Sequence, residues 1–180
     1  MIRAHIQATN LADFYVNLVA AQTGAHGDAY CAHHYPIFAW ADGSATYAEL
    51  GVNQGATLAA ALLAGYRRVI GVDRCLEPYR VYARLFDEYV ARTGQELIML
   101  EQDSRVSVGP VDFLFIDSDH RPDHLRQELA VHEPAVRRYI LGHDTAAHVA
   151  LHHELTSLAG WSVVDQERSN VGYTLMGRAV

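Results

Sequence analysis

Residues 45–73 read Ala45-Thr-Tyr-Ala-Glu49-Leu-Gly51-Val-Asn53-Gln-Gly55-Ala-Thr57-Leu-Ala-Ala-Ala-Leu-Leu-Ala64-Gly-Tyr-Arg-Arg68-Val-Ile-Gly-Val-Asp73, and they set the expected fold. Positions 45–50 have the pattern of a short buried strand, 51–55 form a tight loop bounded by glycines, and 57–64 are strong helix formers. Positions 69–72 make a second strand, closed by Asp73. A strand, glycine loop, helix and strand in this order have a nucleotide-binding logic. Glycines let the backbone approach a ligand, the helix N-terminus offers free N–H groups, and the closing acid can accept hydrogen bonds from both ribose hydroxyls. The same loop also occurs in α/β folds that bind no nucleotide. Two acids favour the ligand. Glu49 ends an apolar strand, where a carboxylate is costly without a partner, and Asp73 ends the neighbouring one, at the edge where α/β ligands bind. Such a pair suits a cationic amine and a ribose better than phosphates.

The segment Glu49-x-Gly51-x-x-x-Gly55 followed by Asp73 resembles the first motifs of the class I S-adenosylmethionine-dependent methyltransferases. The common form of the motif has a further glycine where Asn53 stands, and some small-molecule O-methyltransferases carry this looser version. The resemblance implies a Rossmann-like α/β fold over roughly residues 45–178: a seven-stranded, mostly parallel sheet with a C-terminal antiparallel hairpin. It implies cofactor binding by Glu49, Gly51, Asn53, Gly55 and Asp73. A dinucleotide Gly-x-Gly-x-x-Gly is absent.

The chain has 180 residues, half of them hydrophobic, and a formal net charge of −7. That is enough for one domain with a proper core, divided into an N-terminal helix and loop segment (1–44) and a cofactor-binding core (45–180). All fourteen basic residues are arginine, and they form no cluster. Such a chain is a poor partner for nucleic acid or an anionic membrane. Arg67-Arg68 and Arg137-Arg138 read as solvated strand entries. Met1-Ile-Arg-Ala-His lacks an apolar signal core, and no apolar run approaches the roughly 20 residues that span a bilayer. With only Cys31 and Cys75 and no Cys-x-x-Cys, a reduced, cytoplasmic protein is expected.

Along the chain, Thr9 or Asn10 caps a helix to about residue 21, with Leu11, Phe14, Leu18 and Ala21 on one face. Residues 23–43 are broken by Gly24, Gly27, Pro36 and Gly43. Their aromatics are expected mainly in the core, Phe38 and Trp40 in particular, while His33 and His34 are open between core and substrate mouth. Pro78 opens one long amphipathic helix through Val81, Tyr82, Leu85, Phe86, Tyr89 and Val90. A third strand covers 96–100. The following Asp103-Ser104 either resembles the adenine edge of the methyltransferase family or is a plain turn. A fourth strand covers 111–117, and Pro122 opens a helix with Leu125 and Leu129 inward. A fifth strand runs from 139 into Thr145, which is expected to cap a helix through 158. Strands at 161–165 and 171–176 close the chain as a hairpin.

Asp117-Ser-Asp119-His120 and His143-Asp144-Thr145 fall at the carboxyl ends of strands four and five, which meet beside the ligand crevice of an open parallel sheet. Three acids and two histidines at one point fit a divalent cation, or a general base made of a histidine oriented by an acid. His148 and His152 have i, i+4 spacing but lack a metalloprotease glutamate, and read as a solvated face. The Ile-Asp-Ser-Asp-His…His-Asp-Thr pair resembles the macrocin-type and catechol-type O-methyltransferases. Carried over, that resemblance puts a magnesium-type ion on Asp117, His143 and Asp144. A histidine at 143 in place of a carboxylate favours a softer ion or none.

The expected activity is S-adenosylmethionine-dependent O-methylation of a small hydroxylated molecule. Glu49, Gly51, Asn53, Gly55, Asp73, Asp103, Ser104 and Asp117 hold the donor, and Asp117, His120 and His143 carry the chemistry. The alternatives are a metal-independent enzyme with His120 or His143 as base, and a non-catalytic binding or assembly module. Almost nothing is inserted between strand five and the hairpin. Acceptor recognition is therefore left to residues before the first strand or to a second subunit of a homo-oligomer.

Overall fold

A computed structural model describes residues 5–43 and 45–179. Residues 1–4, most of the stretch read as lacking a signal core, lie outside them.

Helix α1 (Leu11–His26) opens the described chain, its N-cap Asn10 accepting from the Asp13 N–H. It is followed by α2 (His34–Ala39), β1 (Thr46–Leu50), α3 (Ala56–Ala64), β2 (Arg68–Asp73), α4 (Glu77–Arg80), α5 (Ala83–Thr93), β3 (Glu96–Glu101) and β4 (Val111–Ile116). Then come α6 (Pro122–His132), β5 (Val136–His143), α7 (Val149–Thr156), β6 (Trp161–Glu167) and β7 (Tyr173–Arg178). The strands form one sheet in the order β3-β2-β1-β4-β5-β7-β6. Strands β1 to β5 pair in parallel, and β7 inserts antiparallel between β5 and β6. The chain leaves β1 in one direction and returns to its other side at β4. The gap between these two strands is the topological switch point, where open α/β sheets bind ligands.

Alternation along the strands divides the core. Tyr47, Val69, Phe113 and Phe115 face α1, α3 and α5, with Phe14, Leu58, Leu62 and Phe86. Ala48, Leu50, Ile70, Val72, Leu114 and Ile116 face α6 and α7, with Leu125, Leu129, Leu151 and Leu155. A period of two in strands covered on both faces yields these near-continuous apolar runs. The arginine pairs stay at strand entries, Arg68 with Glu96, Arg137 with Asp112 and Arg138 with Asp42. Among the described residues no helix is long and apolar enough to cross a membrane.

Several boundaries differ from expectation. Helix α1 continues to His26 and leaves Ala21 exposed. Phe38 and Trp40 are not core residues: they are 39% and 36% exposed, and α2 buries His34, Pro36 and Ile37 instead. The long helix from Pro78 is two helices, because Val81 is turned out to solvent while the Tyr82 ring packs at 4.7 Å on Phe14 and its hydroxyl accepts from the Ile6 N–H. β5 begins at Val136, three residues early. Thr145 caps no helix. Asp144 takes a left-handed φ of 57°, the chain turns through 144–148, and α7 starts only at Val149. The Thr145 hydroxyl instead accepts from Thr174 on β7.

Candidate active site

The carboxyl ends of β1, β2 and β4 open onto a cavity of about 350 Å³, within the range of small-molecule sites. Residues 51–54 form its floor, whereas Gly55 misses the cavity, a Cβ built there lying 3.0 Å from the Phe86 ring. Gly51 has φ +97°, and a Cβ built there would lie 2.3 Å from the Asp117 carbonyl oxygen, so β1 and β4 are in backbone contact beneath the crevice. Asn53 is left-handed at φ 49°, a conformation asparagine tolerates better than most residues. This is why the position suits either glycine or asparagine. Gly55 precedes α3 with no side-chain cap, so Ala56 and Thr57 bring the N-terminal end of α3 to the cavity wall.

Asp73 closes this loop. Its Oδ2 accepts from the N–H groups of Val52 (2.9 Å) and Asn53 (3.0 Å), and its Oδ1 from Cys75 (3.0 Å). A carboxylate has about four lone-pair sites, so three internal bonds leave room for one more from a ligand. Glu49 is placed differently from expectation. It is fully buried beneath the loop and is absent from the cavity wall. The Tyr47 hydroxyl donates to its Oε2 at 2.9 Å, while Oε1 is unpartnered. Burial pushes its carboxyl well above the ordinary range, against the hydrogen bonds from Thr57 and Tyr47. Its hydrogen bonds run to Tyr47 on β1 and Thr57 on α3. Asp103 also misses the cavity, its carboxylate bound to Arg105, whereas Ser104 lines it.

At the far end of the crevice, Asp117, His143, Asp144 and His120 come together. Asp117 Oδ1 lies 3.1 Å from His143 Nδ1, and His120 Nε2 lies 2.7 Å from Asp144 Oδ2 and 3.6 Å from Asp117 Oδ1. Hydrogen bonding to Asp117 and Asp144 raises His120 to about 10. It is therefore an imidazolium at neutral pH and has no lone pair with which to act as a base. Burial pushes the Asp117 carboxyl up, but His143 and His120 outweigh it and hold it at about 2. Burial likewise pulls His143 down, but Asp117 and Asp144 leave it above the ordinary histidine value. His143 Nε2 is buried with no hydrogen-bond partner.

The atoms that converge as a candidate cation site are those of Asp117, His120 and Asp144, within 4.8 Å of one another; His143 is not among them. Two neighbouring carboxylates without a counter-charge would repel and retain a proton. Here the His120 imidazolium supplies a counter-charge beside both. A stability trend follows. The folded pKa of His120 is above its unfolded value of about 6.5, so its contribution is full below that pH and lost as pH rises through about 10. Melting temperature should fall between those limits, and His120→Gln should flatten the decline. Parallel curves for the two proteins would refute the assignment.

The N-terminal segment forms the remaining wall, with Tyr30, His33 and His34 lining the cavity. His33 lies parallel to Phe115 and its ring centroid is 4.0 Å from that of His143. Burial lowers His33 far below the ordinary range and brings His34 to about 3, so both are neutral. His148 is exposed beside His120, and His152 turns to Thr174 at 2.8 Å; neither lines the cavity. Sequence reading passed over Ser118, which lines it, and the buried His124 and Glu128 behind it. The available signal was polar residues at helical spacing beside the apolar Leu125 and Leu129.

No protein-family model matches the chain, and comparison with curated proteins finds no match. Solved structures do match. Magnesium protoporphyrin IX methyltransferase from Synechocystis PCC 6803, with bound SAM, superposes with a TM-score of 0.68 at 13% identity, covering 98% of this chain and 88% of that one. An O-methyltransferase from Bacillus cereus in complex with SAH gives 0.59 at 16% identity, covering 96% and 92%. An rRNA methylase from Streptococcus thermophilus gives 0.58 at 9% identity, covering 82% and 94%. The seven-stranded sheet with its terminal hairpin is thus the Rossmann-like fold of S-adenosylmethionine-dependent methyltransferases. The fold is common to enzymes with small-molecule and RNA acceptors, so it does not choose between them.

Proposed function

We propose that this protein is an S-adenosylmethionine-dependent O-methyltransferase for a small hydroxylated acceptor, of the looser macrocin-type or catechol-type style. The observation that carries the reading is one continuous crevice. It runs from the Asp73-closed glycine loop, across the Gly51–Asp117 backbone contact, to a histidine held by a carboxylate. Bound S-adenosylmethionine supplies an electrophilic methyl group on a sulfonium. The chain's residues then have to bind the donor, align the acceptor oxygen and take its proton. Gly51, Asn53, Asp73 and Ser104 form the donor end, and Gly55 behind them turns the loop into α3. At the other end Asp117 accepts from His143 Nδ1, which orients the ring and leaves Nε2 as the basic atom. His120 serves as fixed positive charge between Asp117 and Asp144. Tyr30, His33 and His34 give the acceptor an aromatic, hydrogen-bonding wall. The net charge of −7 disfavours a nucleic-acid acceptor.

A second reading puts a divalent ion on Asp117, His120 and Asp144, favoured by the convergence of their ligand atoms. It requires His120 to give up its proton. Turnover in the presence of a chelator separates the two: full activity supports the histidine base, and loss restored by magnesium or manganese supports the ion.

The donor assignment is tested by calorimetry with S-adenosylmethionine and S-adenosylhomocysteine. Asp73→Ala should weaken both by about 1.5–3 kcal/mol, roughly 10- to 150-fold, for loss of a charged acceptor. Absence of heat with either ligand, alongside binding of NAD or ATP, would refute the reading.

A further inference from the structure

Behind the donor end of the crevice, α6 carries a row of buried polar side chains that the proposed chemistry does not use. His124, Glu128 and His132 follow one another at four-residue spacing, and all three are buried. Glu128 Oε1 accepts from the Ser118 hydroxyl and lies 3.1 Å from His124 Nε2. The same Nε2 lies 3.1 Å from Ser104 Oγ, and His132 Nε2 donates to the Ser104 carbonyl at 2.7 Å. Ser104 and Ser118 both line the cavity. The network therefore ties the loop after β3 to the loop after β4 from behind.

The chemistry of these groups gives the network a direction. A carboxylate can only accept, so Ser118 donates its hydroxyl hydrogen backward to Glu128 and has only lone pairs left for the cavity. His124 Nε2 carries its hydrogen in order to face Glu128. Ser104 Oγ, meeting that same N–H, is an acceptor on its buried side, and its own hydroxyl hydrogen and second lone pair are free for the cavity. Glu128 Oε2 is buried without a partner. An unpartnered carboxylate oxygen is costly in an interior, and packing α6 on the sheet would be served as well by an apolar residue.

We propose that Glu128 fixes Ser118 as a hydrogen-bond acceptor toward the cavity, and that this orientation, beside a Ser104 hydroxyl whose hydrogen stays free, selects adenine over its deaminated form. The N1–N6 edge of adenine offers a ring acceptor beside an exocyclic amine donor, which complements the two serines. In hypoxanthine the ring nitrogen carries a proton, which Ser104 can still accept, but the amine is replaced by a carbonyl oxygen, so the Ser118 lone pairs meet another acceptor. Glu128 and His124 are positioning residues: they touch the serines, not the ligand. The proposal rests on the methyl-donor reading above.

The test is calorimetry with S-adenosylhomocysteine and S-inosylhomocysteine, on wild type and on Glu128→Gln, with melting curves for both proteins. Wild type should prefer the adenine compound by about 100-fold, since sites built to hydrogen-bond a group reject its mismatched analogue strongly. Glu128→Gln presents an amide that both donates and accepts, and the preference should narrow to below about tenfold with folding retained. A preference unchanged in a folded Glu128→Gln protein would overturn the proposal. If that variant does not fold, Ser118→Ala decides. It should weaken the adenine compound about tenfold and leave the inosine compound unaffected; equal weakening of both overturns the proposal. Binding of neither compound to wild type would instead remove the methyl-donor reading, and this proposal with it.

Discussion

Gly51→Ala is expected to destabilise the protein by about 2–6 kcal/mol, combining left-handed backbone strain with overpacking. The added Cβ would fall 2.3 Å from the Asp117 carbonyl oxygen and 2.6 Å from its carbonyl carbon. Both are backbone atoms of a neighbouring strand, so relief requires β1 and β4 to part. That pairing is held by Asp117 N–H donating to the Leu50 carbonyl at 2.8 Å, and its loss would open the crevice at its centre. Gly65→Ala is the control. Gly65 has a similar φ of +93°, but nothing lies within 4 Å of the place its added methyl would take, so only the left-handed backbone cost of about 1–2 kcal/mol remains. Denaturant melts of the two variants measure the difference. Equal destabilisation would mean that the Gly51–Asp117 contact does not constrain the fold.

The second large effect concerns His143. Replacement by alanine should lower kcat by about 10²- to 10⁴-fold, the usual loss of a positioned general base, while S-adenosylhomocysteine affinity is largely retained. A base must be unprotonated, so kcat should rise with pH through the folded pKa of His143 and then level off. That pKa lies above the ordinary histidine value because Asp117 and Asp144 outweigh burial. Asp117→Asn removes the main charge responsible, and should move the rising limb to lower pH while lowering the plateau. The direction is the informative part, because a merely structural loss would reduce the plateau without moving the limb. A limb that stays in place in Asp117→Asn would exclude His143 as the titrating base.

Much of the architecture was readable from residue order. The apolar run of 111–116, the glycine-bounded loop after Leu50 and the short 166–170 connection specify strand, crevice loop and hairpin through local sterics and burial. The acids at 73 and 117 announced themselves by ending apolar runs. Other features depend on partners distant in sequence. Glu49 and Asp73 have the same local signature, a carboxylate at a strand end, yet Glu49 points beneath α3 to Tyr47 and Asp73 turns up to the loop N–H groups. His120 and His143 likewise share the pattern of histidine beside acid. Only the sheet order sets His120 nearest Asp144, at 2.7 Å, and His143 nearest Asp117, at 3.1 Å, with the second His143 nitrogen buried and unpartnered. The metal expectation came from two carboxylates on neighbouring strands with His143 beside the second and His120 near by, and the tertiary structure sets the His120 ring between those carboxylates. The same holds for His33, for Ser118, and for Glu128 behind it. A side chain's protonation and direction are set by what packs against it, and that is decided by the tertiary structure.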